Sequence, residues 1–211
     1  MARANFVRED VDVRRLSLIE ATASCLASEG PKGTSVRAIC RRAGVSAGLL
    51  THYFDGISDL VVATYRHVGA KVAAVVDEAV AAAGSDPRAR LDAYVTASLR
   101  PPVLDPELLA TWMAFWSLTK SDPEIAKVHQ ELYAEFRSGL EVRLRDYWGP
   151  QAEAQSVRLG AIAINALVDG LWLELCLDDR GPFTPEEAQT MALAMLDTLL
   201  ATGPLGNRSA P

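Results

Sequence analysis

Gly44-Val45-Ser46-Ala47-Gly48 spells G-x-S-x-G, the pattern that puts a nucleophilic serine on a strained strand-to-helix turn in α/β-hydrolases. That chemistry needs a strand just before the serine. Here the preceding residues are Ile39-Cys40-Arg41-Arg42-Ala43, helical in spacing and without a β-branched run. No acid and base converge on Ser46 or on Asp169, so an enzyme is not expected. A second set of residues offers different chemistry. Trp112, Phe115 and Trp116 fall at i, i+3 and i+4, on one helix face. Asn165, Asp169 and Trp172 fall at i, i+4 and i+7 on another, and Tyr94 and Tyr133 are further candidates. Aromatic faces with one carboxylate suit a small cation, because ring quadrupoles attract the charge and the acid neutralises it. The same aromatic spacing also builds a hydrophobic core, and Asp169 can equally bond a backbone group or line a dimer seam. Three cysteines and three histidines show no metal-ligand spacing, and no cofactor is expected.

The serine pentapeptide makes better sense within its surroundings, Thr34 to Phe54. Thr34 and Ser35 are cap-type residues that can open a helix. Val36, Ile39, Cys40 and Ala43 give that helix one apolar face. Gly44 stands where a helix ends in a left-handed residue, a conformation glycine adopts without a Cβ clash. Val45 plugs the corner, Ser46 caps a second short helix, and Leu50 and Phe54 anchor it. Ala47, Gly48, Thr51, His52 and Tyr53 are left on or near the outward side. They are small, hydroxylated or aromatic, and such a surface lets a backbone approach DNA and bond its phosphates.

This helix-turn-helix resembles the DNA-binding motif of the TetR family of bacterial one-component regulators. Gly44 to Phe54, GVSAGLLTHYF, follows the recognition-helix pattern of that family, and the similarity continues into DLVVATYRHV. The later segments TWMAFWS and ALVDGLWL resemble the BetI group, whose members include choline-responsive repressors. The resemblance implies groove and backbone contact for Ser46, Gly48, Thr51, His52 and Tyr53. Ser46 can also simply cap its helix, and Tyr53 can pack on the first helix. Ala47, Leu49 and Thr51 can meet base edges or thymine methyls. Thr34, Ser35 and Arg37, at the start of the first motif helix, complete the candidate DNA contacts, although arginines there also suit a plain solvated face. Two departures stand out. The family usually carries lysine where this chain has Ile57, and Leu49 and Thr51 replace commoner residues of the recognition helix. The operator sequence is therefore not transferable.

Asp86-Pro87, Asp105-Pro106, Asp122-Pro123 and Thr184-Pro185 each place a cap residue before proline, a helix-start signature. With no period-2 strand evident, the expected fold is all-α with about nine helices. Helices are expected near 11–28, 35–43, 47–53, 58–83, 87–99, 106–120, 123–148, 153–177 and 185–202. The expected domains are a three-helix head over 1–57, a ligand-binding and dimerisation domain over 58–204, and a flexible tail over 205–211. Leu16, Ile19, Ala23 and Leu26 are expected to pack the first helix on the motif.

The net charge is −6, but residues 1–55 carry eight basic and six acidic side chains, net +2, leaving −8 for the rest. A basic head on an acidic body orients a protein on DNA, since phosphate attraction is local. No apolar run approaches the ~20 residues that span a bilayer, and the N-terminus lacks a signal-peptide core, so a cytoplasmic protein without a membrane partner is expected. A head this short reads few base pairs, and a two-fold dimer reading a palindromic operator is expected. Leu159, Ile162, Ala166, Gly170 and Leu173, with Met191 and Met195, are the candidate dimer seam; Ala188, Ala192 and Leu199 belong to the same expected surface. Taken together, the reading is a homodimeric DNA-binding repressor released by a small-molecule effector such as choline or a related cation. The alternatives are an all-α ligand-binding adaptor that has lost DNA binding, and a serine hydrolase.

Overall fold

The structure is a computed structural model that describes residues 2–177 and 181–201, with side chains from Asp12 onward. The described residues form nine helices and no strand: α1 (Ala2–Gly33), α2 (Val36–Ala43), α3 (Ala47–Tyr53), α4 (Ile57–Ala82), α5 (Pro87–Ser98), α6 (Pro106–Leu118), α7 (Pro123–Trp148), α8 (Ala154–Leu177) and α9 (Pro185–Ala201). The tail expected over 205–211 lies outside the described residues.

The cap residues account for most of the boundaries. Asp86 accepts from the amides of Arg88 and Ala89 at 3.4 and 3.2 Å, and Asp122 from those of Glu124 and Ile125 at 3.0 and 3.2 Å. Thr184 and Glu187 form a reciprocal capping box, with Oγ1 accepting from the Glu187 amide and Oε2 from the Thr184 amide. The first helix is longer than expected at both ends. Gly30 breaks it with φ 65°, as a glycine can, and Pro31 then opens one more turn through Gly33.

The described residues divide into two compact units, one drawn from 2–70 and 106–130, the other from 71–105, 131–177 and 181–201. The first therefore gathers α1–α3, the start of α4, all of α6 and the start of α7. Its helix-turn-helix core is Leu18, Ile19, Ala21, Cys25, Ala38, Ile39, Cys40, Leu50, Phe54 and Leu60. The stripe expected on α1 is displaced. Leu16 is 39% exposed, because Leu18, Thr22 and Cys25, at i, i+4 and i+7, form the innermost line instead.

In the second unit α5 packs on α8 and α9. Helices α7 and α8 meet at Gly160, where a Cβ would lie 3.1 Å from Leu144 and Trp148 side-chain atoms. The 24-residue α8 is long and apolar enough, by length and composition, to cross a bilayer, against the expectation that no run approaches that size. Its charges, Arg158, Asp169 and Glu174, break every uninterrupted run but leave the helix apolar on average. Val157, Ala161, Ile164, Leu171 and Trp172 on α8 are buried, the arrangement of a core helix.

Candidate nucleic-acid interface and ligand site

Local hydrogen bonding fixes the reading head. Ser35 accepts from the Ala38 amide at 3.2 Å and caps α2. Gly44 ends α2 in the left-handed region, φ 67° and ψ 30°, and the Val45 amide then donates to the Cys40 carbonyl at 3.0 Å. Ser46 accepts from the Leu49 amide at 3.3 Å and caps α3. A helix precedes the serine, so the hydrolase reading of G-x-S-x-G falls: Ser46 sits between two helices, not on a strand-to-helix turn.

Leu50 and Phe54 point into the core, at 0% and 3% exposure. Ser46, Ala47, Gly48, Thr51 and His52 are exposed, while Leu49 and Tyr53 are half-buried. Tyr53 packs on the head core and meets the His52 ring edge-on at 5.1 Å. Arg15 lies 4.9 Å above the Phe54 ring and pins the end of α3. Among the α2 residues, Ser35 and Arg37 are exposed. Thr34 is buried, and its hydroxyl donates to the Gly30 carbonyl at 2.8 Å, which turns it toward the core. Arg42 donates to Ser24 at 2.6 Å and lies 3.5 Å from Glu29, so it braces α2 on α1. Ile57, at the usual lysine position, packs against the head core.

The expected ligand residues fall in two places. Trp112, Phe115 and Trp116 belong to the first unit. There Tyr65 stacks on Phe115 at 4.1 Å and meets Trp112 edge-on at 5.6 Å, while the buried Trp116 Nε1 has no hydrogen-bond partner. Tyr94, Tyr133, Asn165, Asp169 and Trp172 belong to the second unit. Asn165 Nδ2 donates to Asp169 Oδ2 at 3.2 Å. Burial pushes the Asp169 carboxyl up to about 6, opposed by a hydrogen bond from Tyr133. Burial also raises the Tyr94 hydroxyl, which Arg143 opposes and Asp169 and Asp77 reinforce.

Arg143 was not singled out from the sequence. It is buried at 9% exposure, and its guanidinium carbon lies 5.5 Å above the Tyr94 ring. The sequence did hold a signal: Arg143 falls three residues after Leu140 and beside Leu144, on the line that α7 buries.

The residues expected at a dimer seam divide by exposure. On α8, Ile162, Ala166 and Gly170 are exposed and Leu159 and Leu173 half-buried, one face at helical spacing that continues to the exposed Leu177. On α9, Met191 and Met195 are 47% and 53% exposed. Ala188 and Ala192, expected on the same surface, are fully buried, because the inner line of α9 runs Ala188, Ala192, Leu196 and Leu200.

Residues 18–64 match the bacterial regulatory proteins of the tetR family, and residues 87–201 match the C-terminal domain of BetI-type transcriptional repressors. The chain belongs to the TetR family, with a BetI-type C-terminal domain. An HTH-type transcriptional regulator BetI from Burkholderia ambifaria is 34% identical over 199 residues, spanning 90% of this chain and 96% of the relative. A protein of Pseudomonas aeruginosa PAO1, known as a crystal structure, is 40% identical with a TM-score of 0.82, over 90% of this chain and 91% of its own. A Saccharomonospora viridis protein solved in complex with choline shares the fold at 20% identity and a TM-score of 0.72, over 87% and 95% of the two chains. This TetR-family chain is thus a DNA-binding transcriptional regulator rather than an enzyme.

Proposed function

We propose that this regulator is a repressor that binds a palindromic operator as a homodimer and is released by a small organic cation. The exposed apolar line on α8, flanked by Met191 and Met195 on α9, carries the dimer reading. It spans about five helical turns with few charges, a surface suited to burial against a second copy. Two copies joined there would present two α3 helices, and the half-sites of a two-fold operator lie ~34–36 Å apart. Residues 1–57 would read DNA through Ser46, Ala47, Gly48, Leu49, Thr51, His52 and Tyr53, with Ser35 and Arg37 beside them.

The effector reading rests on Asp169, Tyr133, Tyr94, Asn165 and Trp172 in the second unit, a carboxylate among aromatic rings. The choline-bound neighbour from S. viridis supports a quaternary ammonium as the ligand class. Release requires that the ligand bind the non-operator state more tightly than the operator-bound one.

A gel shift on the DNA upstream of the gene, at two salt concentrations, tests the operator. Retardation that weakens with salt and with choline, betaine aldehyde or a polyamine is the expected result. Calorimetry with the same compounds tests the effector, and no heat from any of them on folded protein would rule out the cationic version. A monomer at micromolar concentration in light scattering would rule out the dimer.

A further inference from the structure

Building on that effector reading, we infer that the second unit takes a zwitterion: an ammonium held by Asp169 and its neighbouring rings, and a carboxylate received by Arg143. The Arg143 side chain is 10% exposed, yet its carboxylate partner Asp77, 2.7 Å from Nη2, is 67% exposed. An ion pair with so exposed a partner contributes little, and it does not offset the cost of burying a guanidinium. Arg143 Nε is buried with no hydrogen-bond partner at all. A charged donor left unmade inside a protein is costly, so this atom calls for an acceptor. The planar guanidinium is the side chain best matched to a carboxylate.

Two further observations show the guanidinium held in place. It lies over the Tyr94 ring, a contact that favours a cation. One turn earlier on α7 stands Gly139, where an added Cβ would come 2.8 Å from Arg143 Nη1. A glycine inside a helix costs up to about 1 kcal/mol relative to alanine. At this position it leaves room for the guanidinium to lie back along the helix.

The opposite charge is close by in the same unit. Tyr133, on α7 like Arg143, donates to Asp169 on α8, and the Tyr94 hydroxyl feels both Arg143 and Asp169. The buried acid and the buried base are not paired with each other: Asp169 is bound by Asn165 and Tyr133, Arg143 by Asp77. A ligand carrying both charges satisfies both groups, whereas choline satisfies only the acid.

Calorimetry on the full chain with choline, glycine betaine and carnitine separates these cases. The last two are trimethylammonium carboxylates with shorter and longer spacing between charges. At least one of them is expected to bind ~10-fold or more tightly than choline. Arg143→Met is expected to cut the ratio of zwitterion to choline affinity ~10-fold, and Gly139→Ala, which keeps every ligand-facing group, to reduce it in the same direction. Thermal melts report whether each variant folds; if Arg143→Met does not, Gly139→Ala decides. Choline binding as tightly as both zwitterions, or a ratio unmoved by the folded variants, overturns the inference and leaves the cation reading standing. No binding by any of the three to folded wild type overturns both.

Discussion

In the first unit the buried polar residues are threonines, and each hydroxyl finds a backbone carbonyl, Thr111 reaching Ala23 on α1 as well as its own helix. Thr22 donates to the Leu18 carbonyl, Thr34 to Gly30, Thr64 to Leu60 and Thr111 to Glu107, all four residues back. Ser98 in the second unit does the same. The rest of the second unit's polar interior is bonded side chain to side chain: Ser156 to Glu153, Asn165 to the largely buried Asp169, and Arg143 to Asp77, with Arg143 Nε left unpaired. Self-satisfied hydroxyls hold no charge for a ligand to complete, and the open donor of the first unit, Trp116 Nε1, is neutral. An interior holding charge and an open donor gains from any molecule that completes it, and binding then shifts its populations. On the proposed reading the head keeps one shape and the second unit responds.

The largest effect expected from this contrast is in the head. Leu50→Ala empties a fully buried site in a small core and should cost about 2–5 kcal/mol, with operator binding lost in a gel shift. A mild effect there would mean the head is not the rigid element. Next, Ala166→Glu puts a charge on the exposed apolar line of α8. Light scattering should show dimers giving way to monomers, with the helical signal kept, because the residue supports no intramolecular core.

Asp169→Asn sharpens the contrast through pH. The fold raises this carboxyl from an ordinary 3.8 to about 6, so it favours the protonated form. Its contribution is complete below about pH 4 and is lost as pH rises through about 6. The amide, which never ionises, should therefore stabilise the protein at pH 7.5 by on the order of 1–2 kcal/mol, the gap closing toward pH 4 in paired thermal melts. Cation affinity should fall in the same variant. The smallest effect is at the DNA face. Tyr53→Ala should weaken operator binding by about 1 kcal/mol with a modest drop in melting temperature, since the half-buried ring also packs on the head core, and the helical signal at assay temperature should be kept.

Local rules explain what the sequence made legible. Ser35, Gly44 and Ser46 do their work within four residues of themselves, and the turn follows from their types alone. The same holds for Asp86, Asp122 and Thr184 at their helix starts. The exposed line on α8 also followed from helical spacing. What escaped depends on packing between distant segments. Leu16 belongs to a plausible stripe, yet the inner line of α1 is set by which helices it meets. Arg143 reads as one more surface charge in EVRLRDYW until α7 is seen to bury that edge. Helical spacing puts Trp112 and Phe115 on one face, but that both pack on Tyr65, about fifty residues earlier, follows only from the fold.

Ile57 carries a consequence of its own. Ile57 tucks an aliphatic side chain into the head where the resemblance implies a lysine, so in the proposed operator complex each copy would forgo one contact to the nucleic-acid backbone. Each such contact releases close to one condensed counterion, so a dimer should show a plot of log affinity against log salt shallower by about two than its lysine-bearing relatives. A grip of that kind is weaker in dilute buffer and fades less as ions accumulate, which sets the operating range of this regulator by a single methyl-rich corner.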